Sequence, residues 1–301
     1  MGILELNNSI LFMLYFISIL CGVVSQSLFM IWVMLEIGVL FSLLLFYFNG
    51  TSMQVLYLYY LVQSVSSMLL ILGLVGNIWF LFVSGIFLKL GTFPFLWWVL
   101  DVLNSMKSSL SVVILLGFQK IIPILVFSRW FWVFDGCLLI IWGFIFLSMV
   151  SGFFMLSNMY SFSFMLCGSS VMHTSWMLLF SVMVPNVLSV YLLLYVLILS
   201  IIISISDLNI CSSWGATFCI LSGVPPMVGF ILKLYSVMMM SINFMLPIFM
   251  ILMMSSISVV FYFRAFLVPF MAEVLIMNYS TKILFLIYVT FVLYMSILVF
   301  I

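Results

Sequence analysis

Apolar runs of about 20 residues, the length needed to cross a bilayer, recur along the whole chain. Short clusters of Gly, Pro, Asn, Ser and rare charges separate them. This pattern predicts about eleven spans, near 3–22, 26–47, 55–75, 78–100, 109–128, 136–156, 162–182, 187–205, 214–238, 243–266 and 281–300. Within each run the apolar character is continuous, whereas a membrane barrel needs alternating segments of about ten residues. A backbone crossing lipid must satisfy its own polar groups, so the spans are expected to be helices. The expected fold is all-α: one polytopic transmembrane domain over residues 1–301, with some helices interrupted by Pro or Gly and no soluble domain. The first run carries Glu5 in place of a basic leader and continues to Cys21 with no small-residue cleavage site. It is expected to stay as a span.

Composition agrees: 68% of residues are hydrophobic and 4% charged, against about 25% charged in soluble domains. The formal charge of +1 leaves no basic patch to neutralise phosphates, so no nucleic-acid partner is expected. Five cysteines form no C-x-x-C and read as small apolar packing residues. The sequence holds 33 Phe and 25 Met but only Arg129 and Arg264 as arginines, a bias that suits an AT-rich organelle genome. No dinucleotide fingerprint, Walker loop or metal-ligand spacing occurs, so neither cofactor nor metal is expected on this chain. An odd number of spans puts the termini on opposite sides. Lys107, Lys282 and Arg264 then share the N-terminal side against Arg129 on the other, which places the N-terminus inside.

Four ionisable groups fall near the middle of long apolar runs: Glu36 in WVMLEIG, Lys89 in IFLKLGTFPF, Lys120 in FQKIIP and Lys233 in VPPMVGFILK. A charge at the bilayer centre costs roughly 2.5–3.5 kcal/mol on insertion scales, so each is expected to face protein or water and to have a function. Each lysine has helix-perturbing neighbours: Gly91 and Pro94, Pro123, and Pro225, Pro226 and Gly229. Interrupted helices at mid-depth are what ion sites in transporters are built from. Burial disfavours an ammonium and a nearby carboxylate favours it. At an effective dielectric of about 20 and about 8 Å, that attraction is roughly 2 kcal/mol. A carboxylate and several lysines at one level therefore suit a proton relay. His173, in the Ser- and Thr-rich CGSSVMHTSW, either relays protons or pins helix packing. Asp101, Lys107, Arg129, Asp135, Asp207, Arg264, Glu273 and Lys282 lie near span ends as interfacial charges, with Asp101 the candidate exception. Trp97, Trp98, Trp130 and Trp132 sit where interfacial aromatics are expected.

Taken in order, WVMLEIG, YYLVQSVSSMLLILG, KLGTFPFLWWVLDV, FQKIIP, CGSSVMHTSWM and SGVPPMVGFILKLYS resemble the subunit 2 family of mitochondrial NADH–ubiquinone oxidoreductase, an antiporter-like subunit of respiratory complex I. The resemblance runs over roughly residues 30–236. It implies that Glu36 stands at the family's membrane glutamate, and that Lys89, Lys120 and Lys233 stand at its membrane lysines. It further implies a mitochondrial inner-membrane location with the N-terminus on the matrix side and other membrane-arm subunits as partners. NADH, FMN, iron–sulfur clusters and ubiquinone would be handled in other subunits. The chain departs from the family after Lys89, where Leu96 replaces a histidine and Asp101 is a shorter acid. The expected function is proton transfer coupled to electron transfer elsewhere. A stand-alone cation/proton antiporter and a structural subunit that moves no protons are the alternatives.

Overall fold

The computed structural model describes residues 2–130, 138–157, 161–183, 185–206, 249 and 252–262. The expected spans 214–238 and 281–300, and Lys233 with them, lie outside the described residues. Among the described residues to 206, ten α-helices follow one another: α1 (Gly2–Val24), α2 (Leu28–Phe48), α3 (Met53–Val75), α4 (Trp79–Leu90), α5 (Trp97–Ser105), α6 (Ser109–Leu116), α7 (Ile121–Trp130), α8 (Leu138–Ser157), α9 (Phe162–Met183) and α10 (Pro185–Ser206). A 3-10 turn, Phe118–Lys120, joins α6 to α7. Leu252–Tyr262 is a further apolar helix. Among the described residues, five helical stretches are long and apolar enough to cross a membrane: Leu28–Phe48, Met53–Val75, Ser109–Trp130, Ile140–Ser157 and Phe162–Met183. The architecture is that of a polytopic α-helical membrane protein.

Turns fall where the sequence supplies residues that tolerate them. Gly50 and Asn77, both at positive φ, follow α2 and α3. At Gly73 a Cβ would stand 2.3 Å from the Phe82 backbone nitrogen, so only a glycine lets α3 and α4 pack this closely.

Two expected spans are each built from two helices. In the first, α4 stops at Gly91, whose φ of +64 is left-handed. The Phe93–Pro94 peptide is cis, and α5 resumes at Trp97. Carbonyls at the broken end are met locally: the Thr92 backbone N–H donates to Phe87 O at 3.0 Å, and Trp98 Nε1 donates to Leu88 O at 3.0 Å. Trp98 is thus no interfacial aromatic. It is 2% exposed, because the interruption creates a carbonyl that an indole N–H can satisfy in the interior. Trp97 keeps the exposed position expected of it.

In the second, α6 ends at Gly117 and the 3-10 turn follows. Pro123 lies inside α7 and is buried. The residue four positions before it is Gln119, whose carbonyl a proline cannot serve. The turn absorbs that defect, so the helix changes course at Gly117 ahead of the proline.

Contacts fix which ends lie together. Asn8 Nδ2 donates to Asn49 Oδ1 at 3.1 Å, joining the N-terminal part of α1 to the end of α2. Arg129 Nη1 and Nη2 donate to Ser25 O at 2.8 Å and Val23 O at 2.6 Å, joining the end of α7 to the opposite end of α1. Its cation also meets the carbonyl end of the α1 dipole. Ser163 Oγ donates to Asn104 Oδ1, bringing the start of α9 to the end of α5. Each broken pair therefore acts as one crossing, which is the alternation the hydrophobic runs imply. Helix α9 sits at the centre: its entire membrane-length window is buried, with α8, α10, α5 and α7 packed around it.

Replacing Gly91 by Ala places a Cβ 2.1 Å from Val99 Cγ2 at φ +64. Left-handed backbone alone costs a non-glycine residue about 1–3 kcal/mol. We expect G91A to lower the thermal unfolding midpoint of the purified protein, while G143A, in the interior of α8 with nothing within 4 Å of its Cβ, leaves it unchanged or raises it slightly.

Candidate functional site

The helix interruptions position the lysines. Lys89 is the penultimate residue of α4 and Lys120 the last of the 3-10 turn; they are 3% and 4% exposed. Where a helix breaks, a side chain leaves the regular spiral and can turn across the bundle. Both ammonium groups are accordingly inside the protein, in keeping with the expectation that a charge at this depth faces protein.

Glu36 on α2 is half-buried, and its Oε1 is enclosed without a hydrogen-bond partner. Lys89 Nζ is likewise enclosed and unpartnered. The two are not hydrogen-bonded, but Glu36 lies within electrostatic reach of Lys89 and of Tyr59 on α3.

Tyr59, fully buried, shares a 2.8 Å hydrogen bond with Ser42 Oγ and accepts one from Gln119 Nε2. One turn further along α3, Gln63 is also fully buried, with both amide atoms unpartnered. A small cavity of about 20 Å³ is lined by Lys89, Gln119, Tyr15, Gly38, Val39 and Phe118 among others.

On the other flank, Lys120 Nζ donates to Ser170 O of α9 at 3.3 Å and lies near Cys167. Ser170 and His173 are three residues apart and so share a face of that helix. His173 is 5% exposed, and its Nδ1 is 2.8 Å from Tyr191 Oη of α10. The Tyr195 ring lies 5.1 Å from the imidazole, centroid to centroid, and its hydroxyl has no hydrogen-bond partner. Tyr262 of the last described helix is also buried.

Polar groups therefore follow one another through the bundle from Glu36 and Lys89 to Gln119 and Lys120, then Ser170, His173 and Tyr191. The sequence-predicted residues Glu36, Lys89, Lys120 and His173 all belong to this row. Lys233 lies outside the described residues. Asp101 is exposed on α5, so it groups with the interfacial charges. Sequence reasoning did not single out Tyr59, Gln63, Gln119, Tyr191 or Tyr195. The available signal was spacing: Tyr59 with Gln63, and Tyr191 with Tyr195, are four apart on one helix face.

No family model matches the chain. It is similar to NADH-ubiquinone oxidoreductase chain 2 of Sylvisorex johnstoni, 26% identical across 75% of this chain and 76% of that protein. The protein of the same name from Peropteryx macrotis gives the same identity and shares. Among solved structures, a chain of the Mrp complex from a Dietzia species superposes with TM-score 0.71 at 16% identity, over 85% of this chain and 58% of that one. A chain of respiratory complex I from Thermus thermophilus superposes with TM-score 0.70 at 17% identity, over 86% of this chain and 70% of that one. These bear out the resemblance read from the sequence segments, and at such identities the structural likeness is one of fold.

Removing the Tyr191 hydroxyl takes a hydrogen bond from a buried imidazole, which costs about 1–3 kcal/mol. Y191F is expected to lower the thermal midpoint of the purified protein. Y195F removes a hydroxyl with no hydrogen-bond partner and is expected to leave the midpoint within a degree or two or raise it.

Proposed function

We propose that this chain is a core membrane subunit of a proton-pumping NADH:ubiquinone oxidoreductase and carries protons across the inner mitochondrial membrane. The observation that carries this reading is the enclosed row of ionisable and hydroxyl groups, in which Lys89 and Lys120 stand at two helix interruptions on either side of Gln119. The similarity to proteins named NADH-ubiquinone oxidoreductase chain 2 supports the assembly in which the row works. Other membrane-arm subunits are then its partners, with the lipid bilayer around them.

In this mechanism NADH oxidation by ubiquinone, with FMN and iron–sulfur clusters, takes place in partner subunits, and this chain binds none of those groups. The released energy arrives as an electrostatic or conformational change near Glu36. A carboxylate that moves closer to Lys89 favours its ammonium, and one that moves away favours release. The proton leaves Lys89 Nζ for water and is taken up by a neutral Lys120 amine, so only N–H and O–H bonds break and form. His173, hydrogen-bonded to Tyr191, takes the next position, and Lys233 communicates with the exit side or the neighbouring subunit. A matrix-side N-terminus follows from the positive-inside rule.

The test is K120M in the assembled complex in liposomes. It is expected to lower the number of protons moved per electron pair while NADH oxidation continues. Unchanged assembly, turnover and stoichiometry would rule out the relay. Cation/proton exchange by the isolated chain in liposomes would point instead to a stand-alone antiporter.

A further inference from the structure

The contact between Tyr59 and Gln119 has a direction. Ser42 Oγ donates its one proton to Val39 O at 2.9 Å. With the serine proton on Val39 O, the phenol is left to donate at the 2.8 Å contact between Ser42 and Tyr59. The Tyr59 oxygen is then the acceptor for Gln119 Nε2. The hydrogen bonds run one way, from Gln119 to Tyr59 to Ser42 to a backbone carbonyl of α2. Such a chain ends in a group that cannot pass a proton on, so it is not itself a conduit. Its effect is to fix the rotation of the Gln119 amide.

With Nε2 held by Tyr59, Oε1 is left as an enclosed acceptor without a partner. Lys89 Nζ is an enclosed donor without a partner, and both residues line the same cavity of about 20 Å³. About 10–15 Å³ of such space suffices for one water, provided it finds two or more polar partners. A water there can accept from Lys89 and donate to Gln119 Oε1. Reversing the amide would present an NH₂ group to the ammonium side and leave that water with no acceptor. Gln119 also directly precedes Lys120 in the 3-10 turn, so the group that orients the water is rigidly tied to the next lysine.

We infer that Gln119, locked by Tyr59 and Ser42, is a positioning residue that holds and orients a water molecule between Lys89 and the Lys120 turn. This rests on the relay reading above. The hydroxyl of Tyr59 matters through the amide it holds and takes no part in proton transfer.

The test compares Q119L, Y59F and K120M in the intact complex reconstituted in liposomes, scoring protons moved per electron pair beside the rate of NADH oxidation. Q119L is expected to reduce the stoichiometry as far as K120M does. Y59F, which removes one oxygen and releases the amide, is expected to reduce it part of the way at an unchanged assembly level. A purely structural role for either side chain predicts lower thermal stability with the wild-type stoichiometry. If K120M lowers the stoichiometry and Y59F and Q119L do not, the positioning role is overturned and the relay stands. If K120M too pumps normally, relay and positioning role fall together. Should Q119L not assemble, the Y59F stoichiometry decides.

Discussion

Inside a bilayer the backbone has no water to turn to, and this constraint organises the molecule. A helix can stop at mid-depth only if the protein itself meets the carbonyls and N–H groups it leaves behind. The end of α4 does this with Thr92 and the indole of Trp98. The α6–α7 junction does it with a short 3-10 turn ahead of Pro123. The repairs stand beside the two lysines: Lys89 is the penultimate residue of α4, on its buried face with Phe82 and Ile86, and Lys120 closes the 3-10 turn.

Much of the fold was legible in the sequence. The expected spans 26–47 and 55–75 correspond to Leu28–Phe48 and Met53–Val75, because run length reports directly on membrane thickness. The run 78–100 reads as one span but consists of α4, a break and α5 extending to Ser105. Hydropathy registers that a segment is in lipid and is nearly blind to how its backbone is routed there. The second break follows Gly117, although Pro123 was the more conspicuous residue, since a proline's defect falls on the carbonyl four residues earlier.

The site was legible in a different way. Glu36, Lys89, Lys120 and His173 stood out because ionisable groups are scarce and expensive at this depth. Their partners did not, because tyrosine, serine and glutamine are unremarkable in membrane helices until helix rotation brings them face to face. Tyr59 and Gln119 are 60 positions apart in sequence, and nothing in either local segment signals the other. Trp98 shows the same limit from the opposite direction: its place in the sequence suits a membrane boundary, and its hydrogen bond reveals an internal cap.

Helix α9 is enclosed on every side and is also the least apolar of the five long spans. Its hydroxyls and histidine would be poorly received by lipid alone, and it has no outer face with which to rest there. It can be seated only once its neighbours have arrived, so the middle of the bundle is the part of the chain whose biogenesis depends most on order. Integration into the bilayer and folding are a single event for this helix, whereas for α2 and α3, with broad apolar surfaces facing outward, they can be separate ones.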